Sequence, residues 1–143
     1  RLNEGNVLET DFKNRVATIG SLLEEVIKID PERVNAVRER LKKGVEDLRE
    51  KYDENRFEQE LVYYIEKFDI TEEKVRLQNH LEYFISALNS KDSNGKKLGF
   101  IGQEIGREIN TIGSKSNFAP MQQLVVQMKD ELEKIKEQLL NVL

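Results

Sequence analysis

Apolar residues recur at three- and four-residue steps along nearly the whole chain, the period of one helix face. Leu8, Phe12, Ile19, Leu22, Val26 and Ile29 form the first stripe, with Arg15 as its polar position. It predicts a helix over residues 3–29. Asp30-Pro31 follows. Aspartate can accept from the free N–H groups of a first turn, and proline there has no N–H to satisfy, so the pair predicts a helix start. Val34, Val37, Leu41, Val45 and Leu48 are the stripe of that second helix. Tyr52-Asp53 interrupts it, and Asp53 is the expected cap of a third helix carrying Phe57, Leu61, Tyr64, Ile65 and Phe68. Asp69-Ile70-Thr71 breaks the pattern again. Thr71 is the expected cap of a fourth helix, with Glu72 and Glu73 in the first turn, where the helix dipole favours anions. Leu77, Leu81, Phe84 and Leu88 are its stripe.

Residues 89–95 (NSKDSNG) read as a loop. A fifth helix follows, with Leu98, Ile101, Ile105, Ile109 and Ile112 on one face. Residues 113–119 are the next expected break, with Gly113 in the left-handed position that ends the helix. From Pro120 a last helix carries Met121, Val125, Met128, Leu132, Ile135, Leu139 and Val142 in a heptad alternation, a seam that needs a partner helix in this chain or another. No strand pattern and no internal repeat is found. The expected architecture is all-α: long antiparallel helices with short loops, an elongated helical hairpin or coiled-coil arm plus a small bundle. One helical domain is expected over residues 1–143, with the arm at about 1–68 and the core at about 69–143. The chain opens on Arg1 with helical residues under way, and is read as the C-terminal portion of something longer.

Composition narrows the chemistry. With no Cys, disulfides, thiolate metal sites and Cys nucleophiles are excluded. His80 is the single histidine, so a zinc site of two histidines is excluded too. No apolar run approaches the ~18 residues of a membrane span, and a cytoplasmic protein is expected. Charged residues are 35% of the chain, against about 25% in an average protein. The net charge of −4 gives no bulk footprint for nucleic acid. Its distribution is uneven, however: residues 52–73 hold eight acids and two bases, residues 91–117 five bases and three acids. An acidic segment near a basic one can hold cations beside phosphates, or can be an ordinary solvated surface.

The fifth helix has three distinct sides. Beside the isoleucine face, Gly99, Gly102 and Gly106 share a line with Gly113, which implies close approach of a helix or a ligand. Glu104 and Glu108, four apart, share a third side with Arg107 next to it. The two carboxylates can ligate Mg²⁺ or Mn²⁺, or serve as partners for Arg107 and Lys97. Asp69, Glu72 and Glu73 cluster where the fourth helix starts, explicable by capping or as ligands. His80, one turn after Arg76, is a candidate acid, base or ligand, or a packing residue. Residues 110–117 (NTIGSKSN) can offer backbone N–H groups and Lys115 to a phosphate, or simply end a helix. No Walker A motif, dinucleotide fingerprint or GxSxG elbow is present.

Several of these residues together resemble a known family. Arg1, Glu4, Gly5, Leu8 and Asp11 fit its opening loosely. Residues 69–84 (DITEEKVRLQNHLEYF) are similar to its signature around a single histidine. Gln103-Glu104 and residues 107–115 (REINTIGSK) are the most specific part, followed by residues 124–126 and 129–138. On these motifs the chain resembles the C-terminal half of the YicC/YloC-like endoribonucleases of bacteria. It departs from the family pattern at Lys96, Gly99 and Gly106.

The resemblance implies a divalent-metal-dependent endoribonuclease acting on RNA. It also implies a ring-like homo-oligomer, with a hexamer the expected order, and a preceding N-terminal domain. Residue type then assigns roles. His80, Glu104 and Glu108 are the expected catalytic residues. Arg76, Arg107, Asn110 and Lys115 are the expected RNA-phosphate contacts. Asp69, Glu72, Glu73, Glu104 and Glu108 are the expected ligands of Mg²⁺ or Mn²⁺. The alternative is a non-catalytic helical module for oligomerisation or RNA scaffolding, motivated by the heptad seam and the glycine line.

Overall fold

The computed structural model describes residues 2–47, 53–90 and 95–142, with side chains from residue 7 to residue 141 within those spans. All of the regular structure there is helical: α1 (Leu2–Asp47), α2 (Glu54–Lys67), α3 (Thr71–Asn89), α4 (Gly95–Lys115) and α5 (Ala119–Val142). The all-α expectation is met. Arg1, Leu48, Tyr52, loop positions 91–94 and the surroundings of Glu4, Gly5 and Val142 lie outside what the structure describes.

The first departure from the sequence reading is at Pro31. The two helices expected on either side of it are one, the 46-residue α1, about 69 Å long at 1.5 Å per residue. Proline inside a helix leaves the carbonyl four residues back without its N–H partner and crowds it, at a cost of roughly 3 kcal/mol. Tertiary contacts beside it offset that cost. Asp30 does not cap. Its Oδ1 accepts from Arg33 Nε at 2.7 Å and its Oδ2 from Lys74 Nζ at 3.1 Å. Arg33, only 4% exposed, also donates to the carbonyls of Phe68 (2.9 Å) and Lys115 (3.3 Å). One guanidinium therefore ties α1 to the ends of α2 and α4, and through Asp30 to α3.

Two further helix ends differ. Asp53 caps α2 as expected, accepting from the N–H groups of Asn55 and Arg56. At α3 the cap is not Thr71: the Asp69 carboxylate accepts from Thr71 N–H (2.9 Å) and Thr71 Oγ1 (3.1 Å), so Thr71 is already helical. α4 runs through Gly113 to Lys115. Gly113 is not a left-handed terminus. It is a close-packing point, where an added Cβ would lie 3.1 Å from Val125 Cγ1. Gly106 likewise faces Leu132 Cδ2 at 3.1 Å, whereas a Cβ at Gly99 or Gly102 would meet nothing within 4 Å. The glycine line thus admits α5 at two of its four positions. Gln122 satisfies the end of α4, donating to the Gly113 and Ser116 carbonyls.

The core joins α1, α3, α4 and α5. Phe12, Ile19, Leu23 and Val26 of α1 pack in one cluster with Leu77 and Phe84 of α3, the α4 isoleucines, and Met128 and Ile135 of α5. Phe12 and Phe84 meet edge to face at 5.8 Å. From Met121 to Leu139 the α5 seam packs within this chain. The core also crosses residue 68: the first half of α1 belongs to the bundle, and beyond Arg33 α1 runs alongside α2, whose fully buried side chain is Leu61. Arg15 joins α1 to Glu131 of α5 at 3.3 Å, as Arg33 meets the end of α4, so α1 and α5 run antiparallel. Gly106 with Leu132 and Gly113 with Val125 give α4 and α5 the same relation.

Candidate functional site

Glu73, Arg76 and His80 recur at three- and four-residue steps on α3, and Glu104, Glu108 and Lys115 at four and seven on α4. Each set therefore occupies one face of its helix. Antiparallel packing of α3 on α4 brings most of these side chains together. Arg76 Nε lies 3.0 and 3.1 Å from the two carboxylate oxygens of Glu108. Its Nη1 donates to Glu72 Oε2 at 2.9 Å, and its Nη2 is 3.6 Å from Glu73 Oε1. Lys115 Nζ donates to Glu73 Oε1 (2.9 Å) and to the Asp69 carbonyl (3.0 Å). His80 Nε2 is 4.0 Å from Glu108 Oε1.

Glu73 and Glu108 are buried, at 4% and 5% exposure. A buried carboxylate is strongly disfavoured without a charged partner, which is why Arg76 and Lys115 are drawn inward here. The Glu108 hydrogen bond, then that of Glu72, pushes the Arg76 guanidinium above its already high range. The Asp69 carboxyl is held below the usual carboxylate range, mainly by the Thr71 N–H. Hydrogen bonds to the charged form favour it.

The remaining expected residues lie around this network. Glu104 is 3.7 Å from Arg107 and is not joined to the cluster. Arg107 is 73% exposed along its side chain, and Asn110 is exposed. The five expected metal ligands are not one set. Asp69 is engaged with Thr71, Glu72 and Glu108 with Arg76, and Glu104 with Arg107. Glu73 keeps one buried oxygen, Oε2, without a hydrogen-bond partner among the described residues. Among those residues no three His, Cys, Asp or Glu side chains are grouped to hold a metal ion. Magnesium asks for six oxygens, and these donors do not fit it by themselves.

Sequence reasoning missed Asp30, Arg33 and Lys74. The available signal was a pair of opposite charges three apart astride a proline, between two apolar stripes. That signal predicts a cap instead, because a capping aspartate and a buried ion-pair aspartate look alike in sequence.

The fold and this network are those of an all-helical ion-paired bundle, and the comparisons with known proteins give it a family. The family described as "Endoribonuclease YicC-like, C-terminal" matches the chain over residues 26–143. The chain is similar to the probable endoribonuclease YicC of Clostridioides difficile, 39% identical over 145 residues, covering 99% of this chain and 50% of the relative. It is 33% identical over 142 residues to the probable endoribonuclease YicC of Haemophilus influenzae, again 99% of this chain and 50% of the relative. The chain belongs to the YicC-like endoribonuclease family, in its C-terminal region, and spans about half the length of the curated relatives it matches.

Proposed function

We propose that the intact protein cleaves RNA and that the α3–α4 edge around His80 contacts the scissile phosphate. The observation that carries this reading is the pairing of His80 with buried Glu108 beside Arg76, whose side chain is 45% exposed. Glu108 sets a buried carboxylate 4.0 Å from the imidazole, beyond hydrogen-bond distance, and general acid–base chemistry is the commonest use of a positioned histidine. His80 then moves a proton to or from a ribose oxygen. Arg107 and Asn110, both exposed, hold the phosphate, with Arg76 and Lys115 as further contacts along the strand. Glu104, one turn before Glu108, is a second carboxylate at the rim.

Divalent-metal dependence remains part of the proposal for the intact protein. A bound Mg²⁺ or Mn²⁺ ion would supply Lewis-acid polarisation of a phosphate. Its ligands would have to come partly from outside this chain, because no three of the described His, Asp or Glu side chains are grouped to hold an ion. The test is cleavage of a single-stranded RNA by the intact protein carrying Glu108→Gln. A rate loss of tenfold or more with the fold retained supports the reading, and an unchanged rate contradicts it.

A second reading has its own observation. Phe100 and Leu140, 62% and 73% exposed, flank a shallow groove between α4 and α5 that also exposes Gly99. Such a patch supports self-association, a homo-oligomer up to the expected hexamer, with this chain as a scaffold for RNA. Light scattering of Phe100→Glu tests it: a smaller assembly than wild type supports it, and an unchanged one opposes it. A cytoplasmic location accompanies both readings.

A further inference from the structure

Beyond the ion-paired edge, a groove of about 280 Å³ opens between α1, α2 and the end of α4. Its two walls are apolar. Val34, Val37 and Leu41 of α1 form one, and Tyr64 of α2 with Phe68 at its C-cap the other. The two rings lie nearly parallel, 14° apart with centroids at 6.1 Å. Ser114, Lys115 and Asn117 complete the lining from the end of α4 onward.

The charge of this groove contrasts with that of its neighbourhood. Residues 52–73 are strongly acidic, yet the described lining holds Arg33, Arg40 and Lys115 and no carboxylate. Arg33 and Lys115 are engaged in the ties given above. Arg40 is exposed and has no acidic partner among the described residues. The volume is near the lower end of small-molecule pockets, which run from about 300 to 1,000 Å³. The space is too small for a packed helix and matches one flat ring system.

We infer that this groove is a base-binding subsite for single-stranded RNA. A nucleobase has apolar faces and a polar rim, and the groove has apolar walls with Arg40 and Asn117 in its lining. Tyr64 supplies the stacking face, which takes any base because every base has a π face. Asn117 meets the base edge, and Arg40 holds a backbone phosphate at the mouth. The inference rests on the RNA reading above and gives it direction. Lys115 belongs both to this groove and to the Glu73–Arg76 network. A nucleotide seated here therefore sends its neighbour toward His80.

The test is binding of a ten-nucleotide single-stranded RNA, 2′-O-methylated throughout so that it cannot be cut through its 2′ oxygens. Its fluorescence anisotropy is followed against the intact protein. Tyr64→Leu is expected to weaken binding about tenfold, while Tyr64→Phe, which keeps the ring, binds like wild type. Arg40→Gln is expected to weaken binding and to reduce the slope of log affinity on log salt by about one. Tyr64 and Arg40 are both exposed, so neither change threatens the fold. Binding within twofold of wild type in both Tyr64→Leu and Arg40→Gln would overturn the inference. So would a change of oligomeric state in both with RNA affinity kept, since the groove would then hold protein. If Tyr64→Leu loses affinity while His80→Gln still cleaves at the wild-type rate, the subsite stands and the catalytic assignment falls.

Discussion

Arg33 donates from Nη1 to the carbonyl of Lys115, 82 positions away in the chain. The ammonium of that same lysine is held at Glu73. The joint at Pro31 and the candidate site are therefore one continuous polar structure. The backbone that Arg33 fixes is the backbone that aims Lys115.

Arg33→Ala should destabilise the protein by about 3–5 kcal/mol, the range for removing one partner of a buried ion pair. Arg33→Lys should recover little of this, because one ammonium cannot reach Asp30, Phe68 and Lys115 with the geometry of a planar fork. Urea denaturation followed by circular dichroism reads both.

Pro31→Ala should stabilise the protein by about 2 kcal/mol. Alanine is roughly 3 kcal/mol better than proline inside a helix, less about 0.4–1 kcal/mol for the looser unfolded chain. The same denaturation experiment checks it. A loss of stability would mean that α1 needs a break at this position.

The α4 glycines should separate in the same assay. Gly99→Ala should add about 1 kcal/mol from helix propensity alone, since its Cβ meets nothing. Gly113→Ala should gain less or lose stability, because Val125 must yield by a few tenths of an ångström.

Asp69 gives a pH dependence of known sign. Its folded-state carboxyl is held below the ordinary range by Thr71. It therefore contributes stability that is full above the unfolded value of about 3.9 and is lost as pH falls through the lower folded value. The stability difference between wild type and Asp69→Ala should be constant from about pH 5 to 7 and shrink below pH 4. Urea midpoints across that range measure it.

Much of this architecture was legible from periodicity, because buried helix faces leave a repeating apolar mark. The stripes from Phe12 to Val26 and from Met121 to Leu139 are core in the structure. Asp53 was legible because a cap acts on its own chain two or three residues ahead. Continuity through Pro31 was not, since what holds it comes from Lys74, Phe68 and Lys115, all distant in sequence. Gly113 misled for a related reason. A glycine that ends a helix and one that admits Val125 differ only in their neighbours. In the candidate site the residue types were legible and the pairing was not. Spacing put Glu104 with Glu108, whereas the fold puts Glu108 with Arg76 and His80.

The most direct test of the account is the single-turnover cleavage rate of a single-stranded RNA by the intact protein, wild type against His80→Gln. Thermal melting and binding of the 2′-O-methylated RNA are measured alongside. The account predicts a rate lower by about 10²–10⁴, the usual contribution of a positioned acid or base, with melting and binding nearly unchanged. A His80→Gln rate within twofold of wild type would contradict it.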